Sequence, residues 1–134
     1  MTEIIRLVRR FDASVERVFD AWLHPVELQQ ILLASGYGRM APSFADARPG
    51  GRFVVMEQRD DLVSYSGEYR LIERPTRLVL AFDDELVELS IRQVATGCEL
   101  VLSLVGASWQ RDQWRETLDR LEAIINRDGM ATEG

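Results

Sequence analysis

The residues best suited to chemistry in this chain are one acid and two tyrosines spaced among apolar residues. Glu57 follows Phe53 and Val55 at steps of two, and Tyr65 and Tyr69 lie in the next alternating run. Side chains at steps of two share one face of a β-strand, so these groups are predicted to face the interior. An apolar pocket with a few polar groups is the usual form of a small-molecule site. The tyrosines are therefore candidate ligand-binding residues, while Glu57 either contacts a polar head group or points past the rim into solvent.

Other reactive residue types are scarce, which disfavours catalysis and metal binding. The chain has one histidine and one cysteine, whereas a transition-metal site needs three or four converging ligands. His24 directly precedes a proline, where a capping or solvated role is favoured over a place in a Ser-His-Asp triad. Cys98 lies in an alternating strand and is interpreted as a small buried thiol, not a nucleophile. The acid runs Asp60–Asp61 and Asp83–Glu85 fall in predicted turns, where carboxylates face solvent. We therefore expect no catalytic residue, no metal and no cofactor.

Composition and charge indicate the class of protein. The chain of 134 residues carries 22 acidic and 16 basic side chains, a net charge of −6. An acidic surface repels phosphate backbones, so nucleic acid is not an expected partner. We expect one domain, residues 1–134, because this length is typical of single domains. A lone cysteine is typical of a reducing compartment, and the sequence contains neither a signal peptide nor an apolar run of about 20 residues that could span a bilayer. These features predict a cytoplasmic protein with no membrane span.

Two short helices are predicted after a first strand. The strand is Ile4–Phe11, and Ser14 is placed to cap the helix that follows it. That helix ends at His24–Pro25, because the residue before a proline disfavours helical angles. Pro25 then opens a second helix, which is predicted to stop near Ser35–Gly36.

A glycine pair separates two predicted strands, residues 39–47 and 52–58. Pro49 suits the second position of a type II turn, and Gly50 supplies the positive φ of the third position. Gly51 then takes a bulge or allows a close approach of another backbone segment. A phosphate-binding glycine run opens a helix, whereas this pair opens a strand, so no phosphate site is predicted.

Apolar residues recur at every second position through the middle of the chain, as in β-strands. Further alternating runs occur at residues 78–82, 87–91 and 98–104. Their short connections and single polar face predict an antiparallel meander. In the clearest run, one face is predicted to carry Val63, Tyr65, Gly67, Tyr69 and Leu71.

The C-terminal helix is predicted to cover this sheet. It starts at about Trp109, with Ser108 as its cap and Gly129 as its stop. Seven strands at about 4.8 Å spacing make a sheet about 30 Å wide, whereas one helix is only about 10 Å across. The sheet must therefore curl around the helix and leave an apolar gap. Besides Glu57, the predicted lining of this cavity is Phe53, Val55, Tyr65, Tyr69, Phe82, Leu102, Leu104, Trp114 and Leu118.

Several short motifs, in their order along the chain, resemble a known family. The stretch Asp46–Phe53 is similar to the D-x-R-P-G-G-x-F signature of domains named for the activator of the heat-shock-protein-90 ATPase. Similar motifs are Arg10–Ala13, Val18–Trp22, Pro25, Tyr65–Tyr69, Arg77–Leu80, Trp114 and Leu118–Leu121. The chain thus resembles AHSA-type domains of the START-like, or SRPBCC, helix-grip superfamily. The resemblance implies an α+β fold in which a curved antiparallel sheet of about six to seven strands wraps a long C-terminal helix, with two short helices after the first strand.

Some positions depart from this family. Ile31–Leu32 stands where members commonly carry two tryptophans, and Leu104 stands where a polar residue, often histidine, is common. Phe82 keeps an aromatic type that is frequent in the family. The loop before the last helix is cut to Gly106–Ser108. The resemblance therefore implies a pocket that is more apolar and differently lidded.

Three functions follow from the residues and the resemblance. The first is non-catalytic binding of a small hydrophobic or aromatic molecule in the central cavity. The second is an enzyme resembling the superfamily's polyketide cyclases or hydrolases, which would have to rely on Glu57 and the two tyrosines. The third, a chaperone ATPase-activator-like partner, is disfavoured because the namesake proteins add a second domain for which this chain has no room. Self-association as a homodimer, through an exposed sheet edge or the shortened loop, stays open.

Overall fold

The computed structural model describes residues 2–33, 39–40, 43–58, 60–82 and 85–132. Strands and helices follow one another in the predicted order. The elements are β1 (Glu3–Phe11), α1 (Val15–Asp20), α2 (Pro25–Leu33), β2 (Arg39–Met40), β3 (Phe44–Ala45), β4 (Arg52–Gln58), β5 (Leu62–Glu73), β6 (Arg77–Phe82), β7 (Glu85–Val94), β8 (Gly97–Gly106) and α3 (Ser108–Thr132).

The strands form one antiparallel sheet with the order β1-β8-β7-β6-β5-β4-β2, and β3 also pairs with β4. The stretch 39–47, predicted as one strand, instead contributes two strands of two residues each, β2 and β3. Both pair with β4, so the sheet has eight strands within the described residues, where six or seven were predicted. Helix α3 packs against β1 and α2, and α2 packs against β4. The predicted α+β helix-grip fold is confirmed.

Local signals at the starts of the first two helices are confirmed, whereas α1 ends at Asp20, before the predicted end at His24–Pro25. The Ser14 hydroxyl accepts a hydrogen bond from the backbone N–H of Arg17 at 3.1 Å, as an N-cap does. Helix α2 begins at Pro25, whose missing N–H is not needed at that position. The predicted stop of α2 near Ser35–Gly36 lies outside the described residues.

The C-terminal helix is longer than predicted. It spans 25 residues, Ser108–Thr132, which is about 38 Å. The predicted stop at Gly129 is wrong, because an isolated glycine costs a helix only about 1 kcal/mol relative to alanine and does not by itself end it. Ser108 is the first residue of the helix and not the residue before it. The N–H of Ala107 at this end is capped by Gln110, whose Oε1 accepts from it at 2.7 Å.

The glycine-pair turn is confirmed in detail. The N–H of Gly51 donates to the carbonyl of Arg48 at 2.8 Å, and Gly50 has a φ of 83°, as a type II turn requires. A Cβ on Gly51 would lie 2.0 Å from the carbonyl oxygen of Asp46, which confirms the predicted close backbone approach. The turn is also hydrogen-bonded to Tyr69, whose carbonyl accepts from Gly50 N–H at 2.7 Å and whose N–H donates to Gly51 O at 2.8 Å.

One face assignment in β5 is wrong. The pairing of β5 with β6 shifts register between Tyr69, which pairs with Leu80, and Leu71, which pairs with Val79. The extra residue of this bulge reverses the alternation of the strand. Ile72 therefore packs against the core in the place predicted for Leu71. Among the helices of the described residues, none combines the length and apolarity that crossing a membrane requires.

Candidate functional site

A partly open pocket of about 160 Å³ lies between the sheet and the first turns of α3. The ends of β5, β6 and β7 form one wall, and α3 with the end of α2 forms the other. The pocket is small and lies near one end of the gap predicted between sheet and helix. Its apolar and aromatic lining consists of Leu32, Tyr65, Phe82, Trp109 and Trp114. Its polar lining consists of Glu85, Gln110, Gln113 and Thr117.

Aromatic rings connect the pocket wall to the core. Phe82 contacts Tyr65 with a centroid distance of 6.4 Å and Trp114 with a centroid distance of 5.7 Å. On its other side Phe82 contacts Phe53 at 5.4 Å, and Phe53 contacts Tyr69 at 5.2 Å. All four contacts are tilted or edge-to-face, the arrangements that aromatic pairs favour. The pocket wall is therefore held by rings that are themselves fixed in the core.

Glu85 is held in place by two neutral donors. Its Oε1 accepts from the indole Nε1 of Trp114 at 3.2 Å, and its Oε2 accepts from Nε2 of Gln110 at 2.8 Å. Gln110 is in turn fixed through its Oε1, which accepts from the N–H of Ala107. The first turn of α3 thus sets the position of a carboxylate that belongs to the first residue of β7.

A second polar contact joins the sheet to the helix at the pocket mouth. Nε2 of Gln113 donates to the hydroxyl of Tyr65 at 3.3 Å. The hydroxyl of Thr117, one turn further along α3, donates to the carbonyl of Gln113 at 3.2 Å. Tyr65 keeps 40% of its surface exposed, so its side chain lies at the rim of the pocket.

Arg120 fixes the end of α2 beside the pocket. Its Nε donates to the carbonyl of Ile31 at 2.8 Å and its Nη2 to that of Leu32 at 3.5 Å. A cation is favourable there, because the last carbonyls of a helix carry partial negative charge. Burial lowers the pKa of the Arg120 guanidinium from its usual value, and arginine stays protonated nonetheless. Nη2 also donates to Oγ1 of Thr117 at 3.3 Å, so the pocket floor and the α2 terminus share one polar network.

The predicted lining residues divide into two groups. Tyr65, Phe82 and Trp114 border the pocket. The others belong to the hydrophobic core cluster: Phe53, Val55, Tyr69, Leu102, Leu104 and Leu118. Tyr69 has no exposed surface and donates its hydroxyl to the carbonyl of Trp22 at 2.8 Å. Its hydroxyl partner is therefore the protein backbone, and any part that these core residues play in binding stays a prediction.

Glu57 lies inside the protein. Only 2% of its surface is exposed, so the alternative that it points into solvent is wrong. It shares a face of β4 with Phe53 and Val55, as the spacing predicts. Burial lowers the pKa of the nearby Arg120 guanidinium, and the Glu57 carboxylate is one of the charges that partly offset this lowering. Glu57 does not border the 160 Å³ pocket, and its predicted contact with a ligand stays untested.

Four polar lining residues escaped the sequence analysis. Gln110, Gln113 and Thr117 lie three and four residues apart, and therefore on one side of α3. That spacing is a signal present in the sequence, beside the stronger apolar stripe of the same helix. Glu85 was assigned to a turn with the two aspartates before it. It is in fact the first residue of β7, paired with Phe82 across the hairpin, and those aspartates lie outside the described residues.

A wider and more open groove adjoins the pocket. It has a volume of about 600 Å³ and shares Tyr65, Phe82, Glu85 and Gln110 with the pocket. Its other wall is formed by the start of the chain and the end of β8, at Thr2 and Val105 among others. The groove therefore extends the pocket toward solvent.

The described residues also show the environment of potential metal ligands and of the thiol. In the part of the chain that the structure describes, no three His, Cys, Asp or Glu side chains come together as metal ligands. Cys98 is buried in the core. Burial raises the pKa of its thiol, with a further contribution from Glu16, so the reactive thiolate is disfavoured.

An antiparallel sheet around a long C-terminal helix, with two short helices after the first strand, defines a helix-grip domain. The chain belongs to the family described as activator of Hsp90 ATPase homolog 1-like protein, whose profile matches residues 12–126.

Solved structures agree with this fold. An AHSA1-like protein from Aeromonas hydrophila has a TM-score of 0.85 at 22% identity, over 95% of this chain and 94% of that chain. An uncharacterized protein from Rhizobium leguminosarum has a TM-score of 0.78 at 20% identity, over 95% and 96% of the two chains. A protein from Nitrosomonas europaea has a TM-score of 0.77 at 16% identity, over 93% and 95%. No curated protein matches the sequence. At these identities the likeness concerns the fold alone.

Proposed function

We propose that the protein is a non-catalytic binding protein for a small aromatic or hydrophobic molecule, held in the pocket between α3 and the ends of β5, β6 and β7. The observation that carries the proposal is the partly open 160 Å³ pocket, which combines four aromatic side chains with a few converging polar groups. Small-molecule sites generally have this composition: mostly apolar walls with a small number of placed polar groups.

The pocket volume limits the size of the buried part of the ligand. Cavities of about 150 Å³ hold benzene, whereas sites for larger ligands measure about 300 to 1,000 Å³. A pocket of about 160 Å³ therefore suits a single ring. Any further substituent would occupy the adjoining groove of about 600 Å³.

Ring contacts and polar contacts have different roles in the proposed complex. The rings of Tyr65, Phe82 and Trp114 offer tilted aromatic surfaces against which a ligand ring can pack. The Tyr65 hydroxyl and the Glu85 carboxylate can then hydrogen-bond a substituent and orient it. Both polar groups are already positioned by residues of α3, so binding requires little ordering of the site.

An NMR titration with benzyl alcohol tests the proposal. A ligand of about eight non-hydrogen atoms is expected to bind in roughly the millimolar range, and amide signals near Tyr65 and Gln113 should shift with saturation. Replacing Tyr65→Ala removes one ring of the wall and should weaken binding about threefold to tenfold. Because Tyr65 is 40% exposed, the variant should remain folded.

Phe44→Ala is the matched control. Phe44 is also an exposed aromatic residue on a strand, but it lies in β3 and does not border the pocket. This variant should bind benzyl alcohol as the unaltered protein does. The proposal is wrong if no saturable shifts occur near the pocket, or if both variants bind with the affinity of the unaltered protein.

A further inference from the structure

The charge of the pocket indicates a class of ligand. Glu85 is the charged residue among the described side chains that line it. We propose that the ligand is a small organic cation, an ammonium group attached to a ring or short alkyl body, with the ammonium placed against Glu85. This inference rests on the proposed function and adds to it the chemical class of the ligand.

The carboxylate of Glu85 has spare acceptor capacity. A carboxylate offers about four lone-pair sites, and the described donors, Trp114 Nε1 and Gln110 Nε2, take one site on each oxygen. Both donors are neutral, so they orient the carboxylate without balancing its charge. A cation at this place would occupy the remaining acceptor sites of the carboxylate and balance its negative charge.

Carboxylates elsewhere on this protein are commonly paired with arginine. Glu88, which lies further along β7, is 2.9 Å from a guanidinium nitrogen of Arg77. Glu99 on the neighbouring strand is 3.0 Å from one of Arg92. In the described ranges, no arginine nitrogen lies within the 4.0 Å of a salt bridge to Glu85. The charge of Glu85 is thus available to a ligand.

The aromatic walls favour the same class of ligand. A cation over the face of a tyrosine, phenylalanine or tryptophan ring is attracted by its electrons, and clusters of such rings bind quaternary ammonium groups. Tyr65, Phe82, Trp109 and Trp114 surround the pocket on both the sheet side and the helix side. An anion would be repelled by Glu85, and a neutral ring would leave its charge unpaired. The net charge of −6 also draws cations toward the protein.

Three test compounds of matched size separate charge from shape: benzylamine, benzyl alcohol and benzoate. In NMR titrations at neutral pH we expect benzylamine, which is protonated there, to bind about tenfold more tightly than benzyl alcohol. Benzoate should bind most weakly. In Glu85→Gln the preference for benzylamine should fall to about one, while benzyl alcohol still binds. Glu88→Gln is the matched control, because it removes a carboxylate from the same strand outside the pocket, and it should keep the preference.

The outcomes distinguish this inference from the function on which it rests. If benzyl alcohol binds and benzylamine binds no better, the cation inference is overturned and the binding function stands. If none of the three compounds binds in the pocket, both proposals fail. If Glu85→Gln changes the pocket and loses all binding, the cation inference is tested by the salt dependence of binding to the unaltered protein. Its preference for benzylamine should shrink as sodium chloride screens the ion pair, and a preference that salt leaves unchanged would contradict a role for Glu85.

Discussion

At the scale of single residues, Tyr69 has a structural role that a substitution can measure. Its buried hydroxyl donates to the carbonyl of Trp22 at 2.8 Å and joins β5 to the turn after α1. Tyr69→Phe removes the donor and leaves that carbonyl without this bond. We expect the free energy of unfolding, measured with urea at neutral pH, to fall by about 1 to 2 kcal/mol. Tyr65→Phe, on the same strand but at the exposed rim, should change it by less.

Tyr69 should also make the free energy of unfolding depend on pH in the alkaline range. Burial raises the pKa of Tyr69 above the ordinary value near 10. As pH rises past about 10, the unfolded chain loses this proton first, so the folded state binds more protons and its stability falls. The chain contains no lysine, which leaves few other groups that titrate in this range. In the Tyr69→Phe variant, the free energy of unfolding should therefore fall less steeply as the pH rises past about 10. Equal slopes for both proteins would mean that Tyr69 does not titrate differently in the two states.

The sequence predicts the aromatic residues of the pocket but not its polar residues. Tyr65, Phe82 and Trp114 were predicted because they are aromatic residues at inward positions of regular elements. Gln110 was not, because a polar residue at the start of a helix usually faces solvent, and only the packing of α3 over the strand ends brings it to the pocket. Glu85 was missed because an acid after two aspartates is typical of a turn.

At the scale of elements, the glycine-pair turn yields a matched prediction. Gly50 has a φ of 83°, and a Cβ added to it would lie in open space, so Gly50→Ala adds backbone strain alone, about 1 to 2 kcal/mol. In Gly51→Ala the new methyl group would meet the carbonyl of Asp46 at 2.0 Å, so the turn itself must move. Urea denaturation should therefore rank Gly51→Ala as the more destabilised variant. The movement should also disturb the backbone hydrogen bonds to Tyr69.

Gly50→Asn is the control for this turn. Asparagine tolerates positive φ better than alanine does, so it should lose less stability than Gly50→Ala. If asparagine and alanine are equally destabilising, φ strain is not the cause. If Gly51→Ala is the milder change, the contact with Asp46 is not a constraint.

Elements were predicted well where the signal is local and poorly where it depends on distant pairing. The cap at Ser14, the start of α2 at Pro25 and the type II turn each need only neighbouring residues, and all three are confirmed. The bulge after Tyr69 is a mismatch between β5 and β6, which alternation within one strand does not reveal. The end of α3 was misplaced because glycine is a weak stop signal without a proline or a change in polarity after it.

At the scale of the whole molecule, the widths of the sheet and of the C-terminal helix predict the fold but not the position of the pocket. A wide sheet and one helix can share a core only if the sheet curls, whichever residues line it. The position of the pocket depends on a further detail, namely that the first turns of α3 lie over the ends of β5, β6 and β7. There two hydrogen bonds cross the gap between helix and sheet, from Gln110 to Glu85 and from Gln113 to Tyr65. Such contacts follow from three-dimensional packing and leave little trace in sequence periodicity.

Arg9 joins the first strand to the last helix through two ion pairs, and their contribution to stability can be measured. Arg9 of β1 is 2.8 Å from Asp119 and 3.0 Å from Glu122 of α3, and its side chain is only 20% exposed. Arg9→Gln should lower the free energy of unfolding by about 1 kcal/mol, and the loss should shrink in high salt. Arg115→Gln is the control, because Arg115 pairs with Asp112 within α3, where both side chains are exposed. If urea denaturation gives the same small change for both variants, the pairing of β1 with α3 depends on apolar packing, and the ion pairs add nothing to it.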